Sequence, residues 1–132
     1  MIAGLTLWNF YFELFTESIQ SPHLIIFLHH LQRVVRGPLL IVWDGLAAHR
    51  SKLVRDYVDT LEGRIVLERL PAYAPELNPV EYIWGYLKQH ELPNVCPKDM
   101  WQLGYGARRA LRRMRRRRTL ITAFWKQASL WP

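Results

Sequence analysis

Five consecutive apolar residues, Leu39-Leu40-Ile41-Val42-Trp43, lie between Gly37-Pro38 and Asp44. A run this short, closed by a breaker on one side and an acid on the other, reads as a strand buried on both faces. Such a strand cannot stand alone, so the flanking sequence must supply neighbours in a sheet and helices to cover it. Ile2 to Trp8 and Phe10 to Phe15 are rich in β-branched and aromatic residues, and Trp8-Asn9 between them suits a hairpin turn. Ser21-Pro22 opens a helix with Leu24, Phe27, Leu28, Leu31 and Val35 on one side, stopped by Gly37-Pro38. After Asp44, Ser51 caps a second helix whose expected buried side is Leu53, Val54, Tyr57, Val58 and Leu61, and Gly63 closes it. Arg64 to Leu70 reads as a further strand. The order of strand, strand, helix, strand, helix, strand predicts an α/β protein with mixed strand directions.

A proline-rich loop, Pro71 to Pro75, leads to a helix starting at Asn78-Pro79, with Val80, Ile83, Trp84 and Leu87 on its apolar side. Pro93 and Pro97 end that helix and mark a linker. Beyond the linker, Ala107, Ala110, Leu111 and Met114 form a helical stripe set among arginines. At 132 residues the chain has room for one modest core, and with half its residues hydrophobic and 22% charged it is not a disordered chain.

The net charge of +7 has a single origin. Arg108, Arg109, Arg112, Arg113, Arg115, Arg116, Arg117 and Arg118 fall in one acid-free stretch, and without these eight the remainder carries −1. So concentrated a basic segment points to a polyanionic partner, nucleic acid first among them. Cys96 is alone, which excludes a disulfide framework and a cysteine zinc site. The apolar start lacks a basic leader and is broken by Asn9 and Glu13, unlike a signal peptide, and His23 to Val35 is too short and polar to span a bilayer. A reducing, intracellular setting is expected.

Two acids have the best positions for chemistry, and each also has a plain structural role. Asp44 sits past the carboxyl end of a buried strand, where α/β sheets place their sites, but an aspartate there also serves as a turn former or cap. Asn78, Pro79 and Glu81 fit a capping box, with Glu81 satisfying a backbone N–H. Taken with their neighbours, however, Trp43-Asp44-Gly45-Leu46-Ala47-Ala48-His49-Arg50-Ser51 and Leu70-Pro71-Ala72-Tyr73-Ala74-Pro75-Glu76-Leu77-Asn78-Pro79-Val80-Glu81-Tyr82-Ile83-Trp84 resemble the two signature blocks of mariner-type DDE transposases of bacterial insertion sequences. The 36 residues between Asp44 and Glu81 are close to that family's separation, and the resemblance extends over about residues 1–90.

The resemblance implies a ribonuclease-H-like mixed sheet with flanking helices, in which three carboxylates hold two Mg2+ ions, with Mn2+ as substitute. Hard cations take oxygen ligands, and a pair of ions can activate an attacking hydroxyl while stabilising the leaving oxygen of a phosphodiester. Asp44 is then the second carboxylate and Glu81 the third, both catalytic and metal-binding. The family's first aspartate lies on a central strand preceding the hairpin and has no counterpart here, since Glu13 and Glu17 are not at a strand end. Residues 1–92 are accordingly expected to be a partial catalytic domain, and residues 93–132 a linker and basic helical tail. A truncated or frame-split gene product, inactive alone, is the expectation, with DNA (transposon ends and target), the missing N-terminal part of the transposase, and further copies of the complete enzyme as partners, and no membrane. Localisation would be cytoplasmic and nucleoid-associated. Lys88, seven residues after Glu81 and so near its helix face, can reach a phosphate or be a solvated lysine. His49 matches a histidine of the motif and reads as structural or DNA-adjacent, while Gly45 stands where relatives carry asparagine. A reading from another class stays open: a non-catalytic DNA-binding or regulatory remnant built on the arginines.

If about half of the arginine segment, drawn from Arg108, Arg109, Arg112, Arg113 and Arg116, meets the phosphates of one DNA duplex, log K should fall against log salt with a slope of roughly −3 to −4, at −0.9 per phosphate neutralised. Replacing Arg108, Arg109, Arg112 and Arg113 by Ala should flatten that slope, and an unchanged slope would count against DNA contact by this face.

Overall fold

The computed structural model describes residues 1–93 and 96–130. Its first elements are β1 (Ile2–Leu5) and β2 (Phe10–Glu13), an antiparallel hairpin in register from Ile2 opposite Glu13 to Leu5 opposite Phe10. The turn is fastened by Thr6, whose Oγ1 donates to the Asn9 carbonyl at 2.9 Å and accepts from the Asn9 N–H at 3.1 Å. Helix α1 (Ser21–Val34) follows, burying Leu24, Phe27, Leu28 and Leu31 as its spacing predicts. Its start is held by an unexpected cap: the Gln20 side chain and the His23 ring exchange hydrogen bonds with each other's backbone N–H groups. Phe27 lies against β1 at Gly4, where a Cβ would stand 3.4 Å from the ring, in ordinary van der Waals contact. A 2.6 Å contact between His30 Nδ1 and Glu13 Oε1 adds a second tie between α1 and the hairpin.

Strand β3 (Leu39–Trp43) and strand β4 (Ile65–Arg69) are parallel, joined through α2 (Lys52–Asp59). Ser51 caps α2 by accepting from the Val54 N–H at 3.3 Å. Gly63, at φ +82°, provides the left-handed turn into β4. Leu24 and Leu28 of α1, Val54 of α2 and Ile65 of β4 form one buried cluster with Leu39, Ile41 and Leu67 at its margin.

The expectation that β3 is buried on both faces is wrong. Its residues alternate, and Leu40 and Val42 are 66% and 53% exposed beside Val66 of β4 at 48%. The reason lies in where the remaining helices go. Helix α3 (Pro79–Tyr86) runs into a π turn (Leu87–Glu91), and α4 (Met100–Arg115) and α5 (Arg118–Gln127) pack with it against the hairpin. Phe10, Phe12, Ile83, Leu87, Ala110, Leu111, Met114, Ile121 and Phe124 make a second core there, so the second face of β3–β4 receives no helix. Leu53, expected on the buried side of α2, is likewise 51% exposed.

All four residues of the predicted α4 stripe, Ala107, Ala110, Leu111 and Met114, are buried, so this helix belongs to the core despite its arginines. The Trp125 indole donates to the Thr6 carbonyl at 2.9 Å and ties α5 to the hairpin turn. The molecule is thus a mixed α/β structure with two small sheets and five α-helices among the described residues, none of the helices long and apolar enough to cross a membrane.

Among the described residues β1 pairs only with β2, and β3 only with β4, so every strand keeps one unpaired edge, and β3–β4 also has an uncovered apolar face. Open apolar edges promote association with other chains. We therefore expect the isolated chain to sediment as oligomers, and charged replacements Leu40→Lys and Val42→Lys to shift it toward monomer. A monodisperse wild-type monomer with a cooperative melt would contradict this.

Candidate two-carboxylate site

The parallel ladder sets Trp43 opposite Arg69 and continues with the Leu70 N–H donating to the Trp43 carbonyl at 2.8 Å. Asp44 is therefore the first residue past the carboxyl end of β3, beside the start of the loop that follows β4. Its Oδ1 accepts from the Leu46 N–H at 3.2 Å, an Asx turn, and from His49 Nδ1 at 2.7 Å. The same Nδ1 lies 3.0 Å from the Asp44 carbonyl oxygen. Since a carboxylate and a carbonyl both only accept, Nδ1 carries the proton. The His49 ring also stacks on Trp43, with centroids 4.4 Å apart and planes within 1°, and its side chain is only 13% exposed. His49 thus fixes one oxygen of Asp44, and Oδ2 has no partner among the described residues.

Glu81 arrives on a different element. The loop from Leu70 passes through Tyr73 at φ +59°, a conformation that side chains with a Cβ rarely adopt, and through a 3-10 turn at Pro75–Leu77. Asn78 Oδ1 then accepts from the Val80 N–H at 3.2 Å, and Pro79 occupies the first turn of α3. The Tyr82 hydroxyl sits 3.2 Å from the carbonyl oxygens of both Glu76 and Gln127, holding this loop to α5. The capping box expected for Glu81 is only half formed: Asn78 caps, but the Glu81 carboxylate does not return a bond. Exposed to solvent, it has no hydrogen-bond or ion-pair partner among the described residues.

Both carboxylates line one open concavity of about 480 Å³. Arg50, Arg69, Tyr73 and Asn78 share its wall. The two arginines went unnoticed in the sequence because their placement depends on strand register and on the turn after Asp44. Tyr73, fully exposed, carried a signal only as an aromatic between loop prolines. Lys88 is exposed on the π turn and does not line the concavity. The seven-residue spacing assumed regular α geometry, which ends at Tyr86. Two carboxylates are suitable oxygen donors for a hard cation, but among the described residues no group of three or more acids, histidines or cysteines is gathered.

The predicted DNA-facing arginines prove to be of two kinds. Arg108, Arg109, Arg112, Arg113 and Arg116 line a second concavity of about 380 Å³ together with Tyr105. Of these, Arg113 is paired with Glu91. Arg115 lies over the Phe12 ring at 5.9 Å, and Arg117 lies over Tyr86 at 5.7 Å and donates to its hydroxyl at 2.7 Å. Arg108, Arg109, Arg112 and Arg116 have no partner among the described residues.

In comparisons with known proteins, no curated protein and no solved structure matches the chain. A family model does, that of the DDE superfamily endonucleases, over residues 1–103. The match takes in the hairpin, both carboxylate-bearing segments and the start of α4. On that extent, the chain belongs to the DDE superfamily of endonucleases.

Proposed function

We propose that residues 1–92 are part of the catalytic domain of a mariner-type transposase of a bacterial insertion sequence, with a DNA phosphodiester as substrate. Asp44 and Glu81 act as the second and third carboxylates, and the first comes from a strand outside this chain. The observation that carries this reading is that two acids with 36 residues between them border one cavity with free oxygens. The ribonuclease-H-like arrangement is supported by two small sheets that each keep an open edge, as they would if a central strand belonged between them. Helices α4 and α5, whose apolar sides belong to the second core, then present a basic surface that contacts transposon or target DNA, and the complete enzyme works as an oligomer in the bacterial cytoplasm, at the nucleoid.

Asp44 and Glu81 would hold Mg2+, or Mn2+ in its place. When bound, such cations stabilise charge on the attacking and leaving oxygens of a phosphodiester. The chain's own residues prepare the site. His49 locks the orientation of Asp44 through Nδ1–H and leaves Oδ2 available, a positioning role of the kind that supporting shells play around metal ligands. Arg50 and Arg69 place two positive charges on the wall against the two carboxylates, so the cavity need not repel an incoming phosphate. Gly45 stands where the family has asparagine, and the space there is open to a side chain, since a Cβ would meet nothing within 4 Å.

A second reading has its own observation. The described residues gather no third acid, while α4 presents four unpartnered arginines, as a DNA-binding or regulatory remnant of a transposase would. Metal-dependent nicking separates the two. The chain alone should nick DNA little or not at all in Mg2+ or Mn2+, and the domain completed with the upstream strand and its aspartate should cleave. In that completed protein Asp44→Ala and Glu81→Gln should abolish cleavage. Because Glu81 makes no cap, its replacement should change stability by no more than about 0.5 kcal/mol in a denaturant melt. Undiminished cleavage after Glu81→Gln would end the assignment of that residue, and failure of the completed domain to cleave would favour the remnant.

His49 gives an independent check. His49→Ala should lower metal affinity or cleavage by roughly 10- to 100-fold, as loss of a ligand's orienting partner does elsewhere. Raising the metal concentration should recover much of the loss. Loss that no metal concentration relieves would point to a different role.

A further inference from the structure

Helix α4 carries more than arginines on its outer side. In its first two turns Met100, Trp101 and Tyr105 are 64%, 74% and 58% exposed. The Trp101 and Tyr105 rings lie nearly parallel, with centroids 5.7 Å apart and an angle of 12° between planes. Spaced four apart, they stand one above the other on the helix, and the same side continues through Arg108, Arg109, Arg112 and Arg116. Tyr105 lines the 380 Å³ concavity with those arginines, so the aromatic and basic halves make one continuous surface. From Trp101 to Arg116 it is about 22 Å long at 1.5 Å per residue. The side holding Ala107, Ala110, Leu111 and Met114 is buried, so the outer side is free of packing duties.

The acids nearby do not neutralise this surface. Asp99 caps the helix by accepting from the Gln102 N–H at 2.8 Å, and Glu91 is taken by Arg113. Four guanidinium groups without intramolecular partners call for a polyanion. The ring pair narrows its kind. In a duplex the faces of the bases are stacked against one another and only edges and phosphates are accessible, whereas an unpaired strand offers base faces along with phosphates.

We propose that the outer side of α4 is a binding surface for single-stranded DNA, with the Trp101–Tyr105 pair as the platform on which unpaired bases stack and Arg108, Arg109, Arg112 and Arg116 as phosphate contacts. This rests on reading α4 as a DNA-contacting helix and is independent of chemistry at Asp44 and Glu81. It assigns the surface a preference that charge alone cannot produce.

The test is fluorescence anisotropy of the full chain at low protein concentration with a labelled oligo(dT) of about 20 nucleotides, long enough for one such site, and with a duplex of equal length. Trp101→Ala with Tyr105→Ala should weaken single-strand binding by about tenfold or more, as loss of base–aromatic stacking does, while duplex affinity stays within about twofold. Trp101→Phe with Tyr105→Phe should restore most of the single-strand affinity, which a defect in folding would not allow. Replacing the four arginines by Ala should weaken both forms. Equal losses on both forms after removal of the rings, or none on the single strand, would overturn the proposal. Tenfold tighter binding of an oligo(rU) of that length would overturn the assignment to DNA. If neither single strand nor duplex binds the wild-type chain, α4 is not a nucleic-acid surface and the broader reading of the arginines falls as well.

Discussion

The parallel pairing of β3 with β4 is the constraint from which the candidate site follows. It aligns Trp43 with Arg69 and so brings the residue after one strand beside the loop that leaves the other. Asp44 and the Leu70–Asn78 loop are neighbours only because of this register, and a slip of one residue would turn the side chains of a whole strand to the opposite face. The covering helices reinforce it on one side, where Leu24, Leu28 and Val54 close over Ile65. The loop carries this alignment toward Asn78, and the packing of α3 on the hairpin and α5 sets the Glu81 end.

Local order and site chemistry are linked through side chains that have one task each. His49 is occupied by Asp44 and Trp43, and Asn78 by its helix. Glu81 is occupied by nothing described, although its position in the first turn would have allowed it to cap. On the proposed reading, this free carboxylate is left available to a ligand. The same distinction divides the basic helix, in which Arg113, Arg115 and Arg117 hold the fold while their neighbours do not.

Helix faces were the most legible part of the sequence, because one residue in three or four reports directly on burial: the α1 and α4 stripes lie where their spacing put them. The hairpin was legible from its residue types, although its first strand ends at Leu5 and its turn starts at Thr6, where Oγ1 closes on Asn9, and not at Trp8-Asn9. The covering of β3 was not, since Leu40 and Val42 are as apolar as Ile41 and nothing local says which face a helix will take. Neither was the start of α1, where glutamine and histidine do what serine and glutamate usually do. At the site, the two acids stood out through their surrounding motifs, yet Arg50 and Arg69 could be found only by knowing the strand register. The arginine run was plain in sequence, but its division into held and free members depends on partners as distant as Phe12 and Tyr86.

The π turn at Leu87–Glu91 accommodates one residue more than an α-helix would in the same stretch, and its last residue is the one that holds Arg113. Losing a single residue from the π turn would allow regular α geometry with Glu91 kept near its present bearing, whereas losing one from the regular turns of α3 would rotate Glu91 by about 100° away from its partner. The composition of the chain would scarcely change, but in the second case one more guanidinium would be set loose on the outside of α4. In the descent of such a protein, a single-codon deletion in α3 would be a change in charge distribution brought about by length, without any arginine being gained or lost.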